Sequence, residues 1–130
     1  MKLPTDLKYT EEHEWVRIEE NNIAYVGITD FAQGELGELV YVEVDTVEDT
    51  IAMGEVFGTV EAVKTTSELF MPLSGKVVAF NPKLDENEGD DPTLLNSDPY
   101  GEGWIIKMEF TDPKELKTLL DVDAYKAAIS

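Results

Sequence analysis

The sequence predicts a mainly β fold, a sandwich or barrel of short strands, on three observations. Apolar and polar residues alternate with a period of two over much of the chain, most clearly over residues 104–110. Such runs recur at close spacing and are separated by turn residues, a pattern typical of all-β domains. Helical patterns are confined to a short helix near 29–36 and to helices near 112–129, which we expect to cover an open end of the sheets.

The first elements are strands at 15–18 and 23–28, joined by a turn at Asn21 and Asn22. Thr29 and Asp30 then offer a helix cap, with Gln33 three residues after Asp30. Gly37 is placed to end this helix, because glycine adopts the left-handed backbone of a helix C-terminus without strain. The sequence therefore predicts two strands that lead into a single short helix.

The middle of the chain predicts strands at 39–44, 55–62 and 76–80. Val40, Val42 and Val44 are expected to share the buried face of the first of these, since alternate residues of a strand point to one side. Turn residues at Gly54 and at 74–75 separate the later strands.

The last strand, at 104–110, places four apolar residues on one face, namely Trp104, Ile106, Met108 and Phe110. After it, Asp112 is a helix cap, Pro113 fits the first helical position, and Glu115 completes a capping box. The apolar stripe that follows predicts helix as far as 129.

Composition restricts the partners and the chemistry. The 130 residues include 28 Asp and Glu but only 10 Lys and Arg, so the formal net charge is −18. We expect neither nucleic acid nor an anionic membrane surface as a partner, because both would repel this chain. Cysteine is absent and His13 is the only histidine, so we expect no metal site. The length predicts one domain, residues 1–130, which we expect to be monomeric.

Two aromatic positions and the histidine have ordinary structural interpretations. Trp15 and Trp104 lie in alternating strands and are expected to pack in the core rather than to stack on a ligand. His13 has no Ser and Asp partner pattern, so a structural hydrogen bond at the start of a strand is favoured over catalysis.

The segment 54–75 contains the residue best suited to chemistry. Strand alternation runs to Ala62 and resumes at Leu69, so Lys64 falls at a hairpin bend, and the nearest other lysines are Lys8 and Lys76. A lone lysine on a tight turn is accessible to a modifying enzyme, and its flexible stem suits a covalently attached group. From spacing alone, an exposed lysine that serves solubility is the preferred interpretation.

Four blocks of sequence resemble the glycine cleavage system H-protein family. Residues 9–16 resemble the opening strand of that family, and residues 25–33 resemble its first helix entry. Glu61-Ala62-Val63-Lys64, followed by Ser67, Pro72, Ser74 and Gly75, matches its modification motif. Residues 96–104 match its late signature. The blocks occur in the family's order and cover nearly the whole chain.

The resemblance implies a barrel-sandwich hybrid of the lipoyl-carrier type, with lipoate attached to Lys64 and with Glu61 and Gly75 in the motif read by lipoate-attaching enzymes. It implies a non-catalytic carrier that takes an aminomethyl group from glycine decarboxylase to aminomethyltransferase and is reoxidised by dihydrolipoyl dehydrogenase. Glu14 and Glu68 are the carboxylates expected to dock the loaded arm, whose ammonium needs shelter from water. The expected compartment is the cytoplasm of a bacterium, or the mitochondrial matrix of a eukaryote.

Three alternatives stay open on the sequence. A biotinyl carrier typically has Met on both sides of the modified lysine, where this chain has Val63 and Thr65. A lipoyl domain of a 2-oxoacid dehydrogenase typically has Asp before the lysine. An unmodified acidic adaptor for basic partners is the third.

Overall fold

The computed structural model describes all 130 residues, and its nine strands form two antiparallel sheets. The strands are β1 (Lys8–Tyr9), β2 (Glu14–Ile18), β3 (Ile23–Ile28), β4 (Leu39–Glu43), β5 (Thr50–Ile51), β6 (Val56–Ala62), β7 (Thr66–Phe70), β8 (Gly75–Phe80) and β9 (Ile106–Phe110). The helices are α1 (Asp30–Leu36), α2 (Leu94–Ser97), a 3₁₀ helix (Pro113–Thr118) and α3 (Val122–Ile129). None of these helices has the length and apolar character that crossing a membrane requires.

The larger sheet has the strand order β1-β2-β3-β9-β8-β5, and the smaller has the order β4-β6-β7. Because neither sheet closes on itself, the fold is an open two-sheet arrangement rather than a barrel. This confirms the prediction of a mainly β fold of the barrel-sandwich type. The smaller sheet is the one that presents the β6–β7 hairpin.

Two apolar clusters hold the sheets together. The larger has 19 buried residues drawn from both sheets, with Phe57, Ile106 and Met108 among those fully buried. The smaller contains Trp15 and Tyr125, which confirms that Trp15 packs in the core. The Trp15 ring lies directly on Gly27, where any Cβ would come within 2.6 Å of it, so only glycine fits beneath this indole.

The predicted alternation of β4 fails at Val40. Leu39 and Val42 are the buried residues of this strand, whereas Val40 is 42% exposed. The cause is a register shift between Leu39 and Tyr41 in the pairing of β4 with β6, which breaks the two-residue period. The three valines therefore predicted the strand and the inward positions of Val42 and Val44 correctly, and the prediction is wrong only for Val40.

Helix α1 begins and ends as predicted. The hydroxyl of Thr29 accepts a hydrogen bond from the amide of Ala32 at 3.2 Å, and Gly37 follows the helix with φ = +82°. Gln33 donates to the side chain of Asp30 at 2.7 Å. Asn96 of α2 then fixes the C-terminal end of α1, because its amide donates to the carbonyl of Gly37 at 2.9 Å.

The predicted capping box at Glu115 is wrong. Asp112 does cap the 3₁₀ helix, accepting from the amide of Lys114 at 3.1 Å. The carboxylate of Glu115, however, accepts hydrogen bonds from the amide and the hydroxyl of Ser74, at 2.8 and 2.9 Å. Glu115 therefore bonds to Ser74, 41 residues away, instead of forming the local capping box. This bond connects the C-terminal segment to the turn before β8.

Candidate functional site: the Lys64 hairpin and its cleft

Lys64 lies at the bend between β6 and β7 and is exposed, as is its neighbour Val63, which is 69% exposed. No salt bridge or side-chain hydrogen bond of the chain involves Lys64. Its side-chain amino group is therefore available for acylation and can carry an attached group.

The backbone of the bend is fixed even though its side chains are not. The amide of Ala62 donates to the carbonyl of Thr65 at 2.7 Å, which closes the turn. The amide of Val63 donates to the carbonyl of Glu38 at 3.2 Å, which ties the turn to the residue before β4. Lys64 is thus an exposed, unpaired side chain on an anchored turn.

A cleft of about 320 Å³ lies between α1 and β7, on the hairpin strand that begins two residues after Lys64. Its lining combines an apolar floor with a polar rim. The floor residues are Ile28, Phe31, Ala32, Leu36, Val60 and Leu69. The rim residues are Glu12, His13, Glu35, Ser67 and Glu68. A wider depression of about 620 Å³ around Tyr25 and Lys107 lies on the other sheet and involves no residue of the hairpin.

Glu68 and Glu14, the two predicted docking carboxylates, have different environments. Glu68 is exposed and lines the cleft. Glu14 is 2% exposed and is not among the lining residues, although His13 beside it is. The structure therefore brings Glu68 to the cleft and places Glu14 next to it, inside the protein.

The carboxyl group of Glu14 is held by two hydrogen bonds and no cation. One oxygen accepts from the amide of Phe70 on β7 at 2.7 Å, and the other accepts from the hydroxyl of Thr10 at 3.2 Å. Burial raises the pKa of Glu14 to about 8, against the opposing effect of the hydrogen bond from Phe70. Near neutral pH this carboxyl group is mostly protonated.

His13 joins the cleft to the C-terminal helix. Its Nδ1 lies 2.9 Å from the hydroxyl oxygen of Tyr125, which in turn lies 2.8 Å from the hydroxyl oxygen of Thr29. This confirms the structural hydrogen bond expected for His13. Sequence analysis missed Tyr125, because it is 112 residues away and no local pattern connects the two.

The two residues of the predicted modification motif are far apart in the fold. Glu61 is exposed on β6, three residues before Lys64. Gly75 is buried in β8 of the other sheet, where a Cβ would overlap the β9 backbone at Glu109 and Phe110. Only Glu61 lies beside the lysine.

Comparison with known proteins identifies relatives over nearly the whole chain. The model of the glycine cleavage H-protein family matches residues 7–130. The glycine cleavage system H protein of Bacteroides thetaiotaomicron is 53% identical over 130 residues, which cover 100% of this chain and 99% of the relative. That of Symbiobacterium thermophilum is 54% identical over 125 residues, or 96% of this chain and 94% of the relative.

A solved structure gives the same result. The crystal structure of a glycine cleavage system H protein from Mycobacterium marinum superposes with a TM-score of 0.82 at 34% identity, over 96% of this chain and 97% of that one. Sequence and fold therefore agree, and the chain belongs to the glycine cleavage H-protein family.

Proposed function

We propose that Lys64 is the lipoylation site of this chain and that the cleft beside β7 shelters the attached group. Family membership makes the chain a lipoyl carrier of the glycine cleavage system. The observation that carries the assignment to Lys64 is its free, exposed ammonium on an anchored turn next to a cleft. A long acyl arm needs this combination of a fixed base and a nearby dock.

The residues of the cleft fit a lipoyl group. Phe31, Leu36 and Leu69 offer an apolar surface to its hydrocarbon chain, and burial there is favoured by the hydrophobic effect. When bound, the lipoyl group supplies a disulfide that accepts the aminomethyl group of glycine and is later reoxidised.

Carboxylates on the rim suit an ammonium. Glu68 lines the cleft together with Glu12 and Glu35, so three carboxylates face a cation that enters it. A charge-assisted hydrogen bond to one of them would hold the ammonium away from bulk water. We assign Glu68 this role, and we assign Glu14, which lies inside the protein beside the cleft, the role of a second acceptor when it is ionised, above its raised pKa of about 8.

Attachment of lipoate depends on the same hairpin. Glu61 is exposed beside the lysine, so a lipoate-attaching enzyme can contact it directly. Gly75 is buried, so its contribution to modification acts through the packing of β8 on β9. We therefore keep Glu61 and Gly75 as residues of the modification motif.

The chain acts as a non-catalytic, monomeric carrier that visits glycine decarboxylase, aminomethyltransferase and dihydrolipoyl dehydrogenase in turn. A tethered group reaches each active site at a high effective concentration. The net charge of −18 favours fast, reversible encounters with basic rims around those sites and disfavours nucleic acid and anionic membranes. The bacterial relatives support a cytoplasmic location.

Intact mass of the protein, produced with lipoate and a bacterial lipoate-attaching enzyme, tests the assignment. The unchanged chain is expected to gain one lipoyl increment and Lys64→Arg none, because arginine keeps the charge but has no acylable amine. Lys76→Arg is the matched control and should be modified normally, since Lys76 lies on β8 of the other sheet, where it pairs with Glu48. A biotinyl increment, or a lipoyl increment on Lys64→Arg, would reject the proposal.

A further inference from the structure

A chain of hydrogen bonds runs from helix α1 to the ring of His13. The amide of Ala32 donates to the hydroxyl oxygen of Thr29 at 3.2 Å, and Thr29 lies 2.8 Å from the hydroxyl of Tyr125. Tyr125 then lies 2.9 Å from Nδ1 of His13. Thr29 and Tyr125 are both fully buried, so water cannot complete their hydrogen bonding.

The directions of these bonds follow from counting hydrogens. Thr29 has two polar neighbours at its hydroxyl, and Ala32 is necessarily a donor because it contributes an amide N–H. The hydroxyl hydrogen of Thr29 can therefore go only to the oxygen of Tyr125. The hydroxyl hydrogen of Tyr125 must then go to Nδ1 of His13, which acts as an acceptor.

The reverse direction leaves a buried hydrogen without an acceptor. If Nδ1 donated to Tyr125 and Tyr125 donated to Thr29, the hydroxyl hydrogen of Thr29 would have no partner. A buried donor without an acceptor is costly, so the reverse direction is disfavoured. When the imidazole is neutral, its hydrogen is therefore on Nε2.

Nε2 of His13 is open to the cleft. No side chain or backbone group of the protein bonds to it, and the half-buried His13 has no unsatisfied atom that is hidden from solvent. His13 lines the cleft, and its ring packs against Phe31 on the cleft floor, with the ring centroids 4.9 Å apart. The free nitrogen is thus accessible on the side away from Tyr125.

We propose that Thr29 and Tyr125 fix His13 as the Nε2–H tautomer, which makes His13 a positioning residue that offers one N–H donor to a carbonyl or carboxylate oxygen in the cleft. The rim otherwise contains the acceptors Glu12, Glu35 and Glu68, and Ser67 is the only other side-chain donor among the lining residues. The acceptor is either a rim carboxylate or the amide carbonyl that joins a lipoyl group to Lys64. The choice of the lipoyl amide carbonyl as acceptor rests on the proposed function, whereas the choice of a rim carboxylate does not.

Nitrogen-15 NMR of the unmodified protein tests the tautomer. Because His13 is the only histidine, selective labelling gives one imidazole spectrum. In the neutral imidazole we expect a pyridine-type Nδ1 and a pyrrole-type Nε2 without exchange averaging. A pyrrole-type Nδ1 would overturn the proposal, whether or not Lys64 is ever lipoylated.

Variants separate the hydrogen-bond chain from general stability. Tyr125→Phe removes the donor to Nδ1 and should produce a mixture of both tautomers, whereas Thr29→Ser keeps the hydroxyl and should keep one. Tyr9→Phe is the matched control, because Tyr9 stacks on Tyr125 and also loses a buried hydroxyl, which donates to Pro4 at 2.5 Å. If Tyr9→Phe and Tyr125→Phe give the same mixture in folded protein, the assignment to Tyr125 is wrong.

The exchange of the Nε2 hydrogen with water identifies the acceptor. Slow exchange in the unmodified protein that becomes fast in Glu12→Ala, Glu35→Ala or Glu68→Ala, which remove the acceptor, indicates a rim carboxylate. Slow exchange that begins only on lipoylation indicates the amide carbonyl. Fast exchange in both forms would show that the donor has no acceptor and would overturn the positioning role.

Discussion

The hairpin tip and the interior beside the cleft differ in the exposure and hydrogen bonding of their side chains. At the tip, Val63, Lys64 and Thr65 are exposed, and backbone hydrogen bonds alone hold the turn. Beside the cleft, Glu14 and Thr29 are almost completely buried, and each of their side-chain oxygens has a partner. One region keeps a side chain free, and the other keeps its side chains in one arrangement.

This difference suits a carrier. A carrier needs an arm that moves, so the attachment point gains nothing from side-chain contacts that would have to break at every transfer. A dock that is already ordered costs no further conformational entropy when the arm enters it. The free-energy cost of ordering the dock is borne when the protein folds, and it includes the burial of the Glu14 carboxyl group without a cation.

Glu14→Gln should have the largest effect on stability, and the effect should depend on pH. The raised pKa of Glu14, about 8, means that the folded state keeps a proton that the unfolded state releases above about pH 4.5. The contribution of Glu14 to stability is therefore fully present below about pH 4.5 and is lost as pH rises to 8. Glutamine keeps an acceptor for the amide of Phe70 and cannot ionise, although its NH2 group can only donate toward Thr10.

Urea unfolding at pH 5 and pH 8 measures this effect. We expect the stability of Glu14→Gln relative to the unchanged chain to rise between these pH values by on the order of 2–4 kcal/mol. Glu61→Gln, exposed on β6, is the control and should show no such rise. Equal pH dependence of the unchanged chain and Glu14→Gln would show that Glu14 is charged at neutral pH.

Tyr125→Phe compared with Val63→Ala sharpens the contrast between the two regions. Tyr125→Phe leaves the buried hydroxyl of Thr29 without an acceptor and should cost about 1–3 kcal/mol of unfolding free energy. Val63→Ala removes a side chain that is 69% exposed and should change it by less than about 0.5 kcal/mol. Denaturant midpoints of both variants give the comparison. If Val63→Ala lowers the unfolding free energy as much as Tyr125→Phe does, the side chains of the tip are packed and the contrast is wrong.

Local patterns predicted the elements around the site better than the contacts that complete it. The alternation of β6 and the cap at Thr29 depend on neighbouring residues, so period and capping chemistry were enough to place the hairpin and α1. The bulge that exposes Val40 depends on the pairing of β4 with β6, which no single strand encodes. Tyr125 and the bond of Glu14 to Phe70 join distant segments, and residue spacing carries no signal for them.

Family resemblance supplied what local patterns did not. Spacing alone favoured an ordinary exposed lysine at position 64, and the four matching blocks reversed that preference. They also pointed to Glu14 and Glu68 as a pair, but the environment of each carboxyl group depends on burial, which the motif does not report. The structure separates an exposed rim carboxylate from a buried, mostly protonated carboxyl group.

The smallest expected effect distinguishes those two carboxyl groups in docking. Ammonia release from the aminomethyl-loaded protein should be about twofold to fivefold faster in Glu68→Gln at pH 7, because a partly exposed ion pair contributes at most about 1 kcal/mol. Glu14→Gln should differ little from the unchanged chain at pH 7, where Glu14 is already mostly neutral, and should release ammonia faster at pH 8.5. The ratio of variant to unchanged protein at each pH removes the intrinsic pH dependence of the reaction, and Glu109→Gln, exposed on β9 of the other sheet, is the control outside the cleft. If the ratio of release rates is near one for Glu68→Gln at both pH values, Glu68 does not contact the ammonium. If Glu14→Gln accelerates release equally at pH 7 and pH 8.5, Glu14 contacts the ammonium as a carboxylate at both pH values.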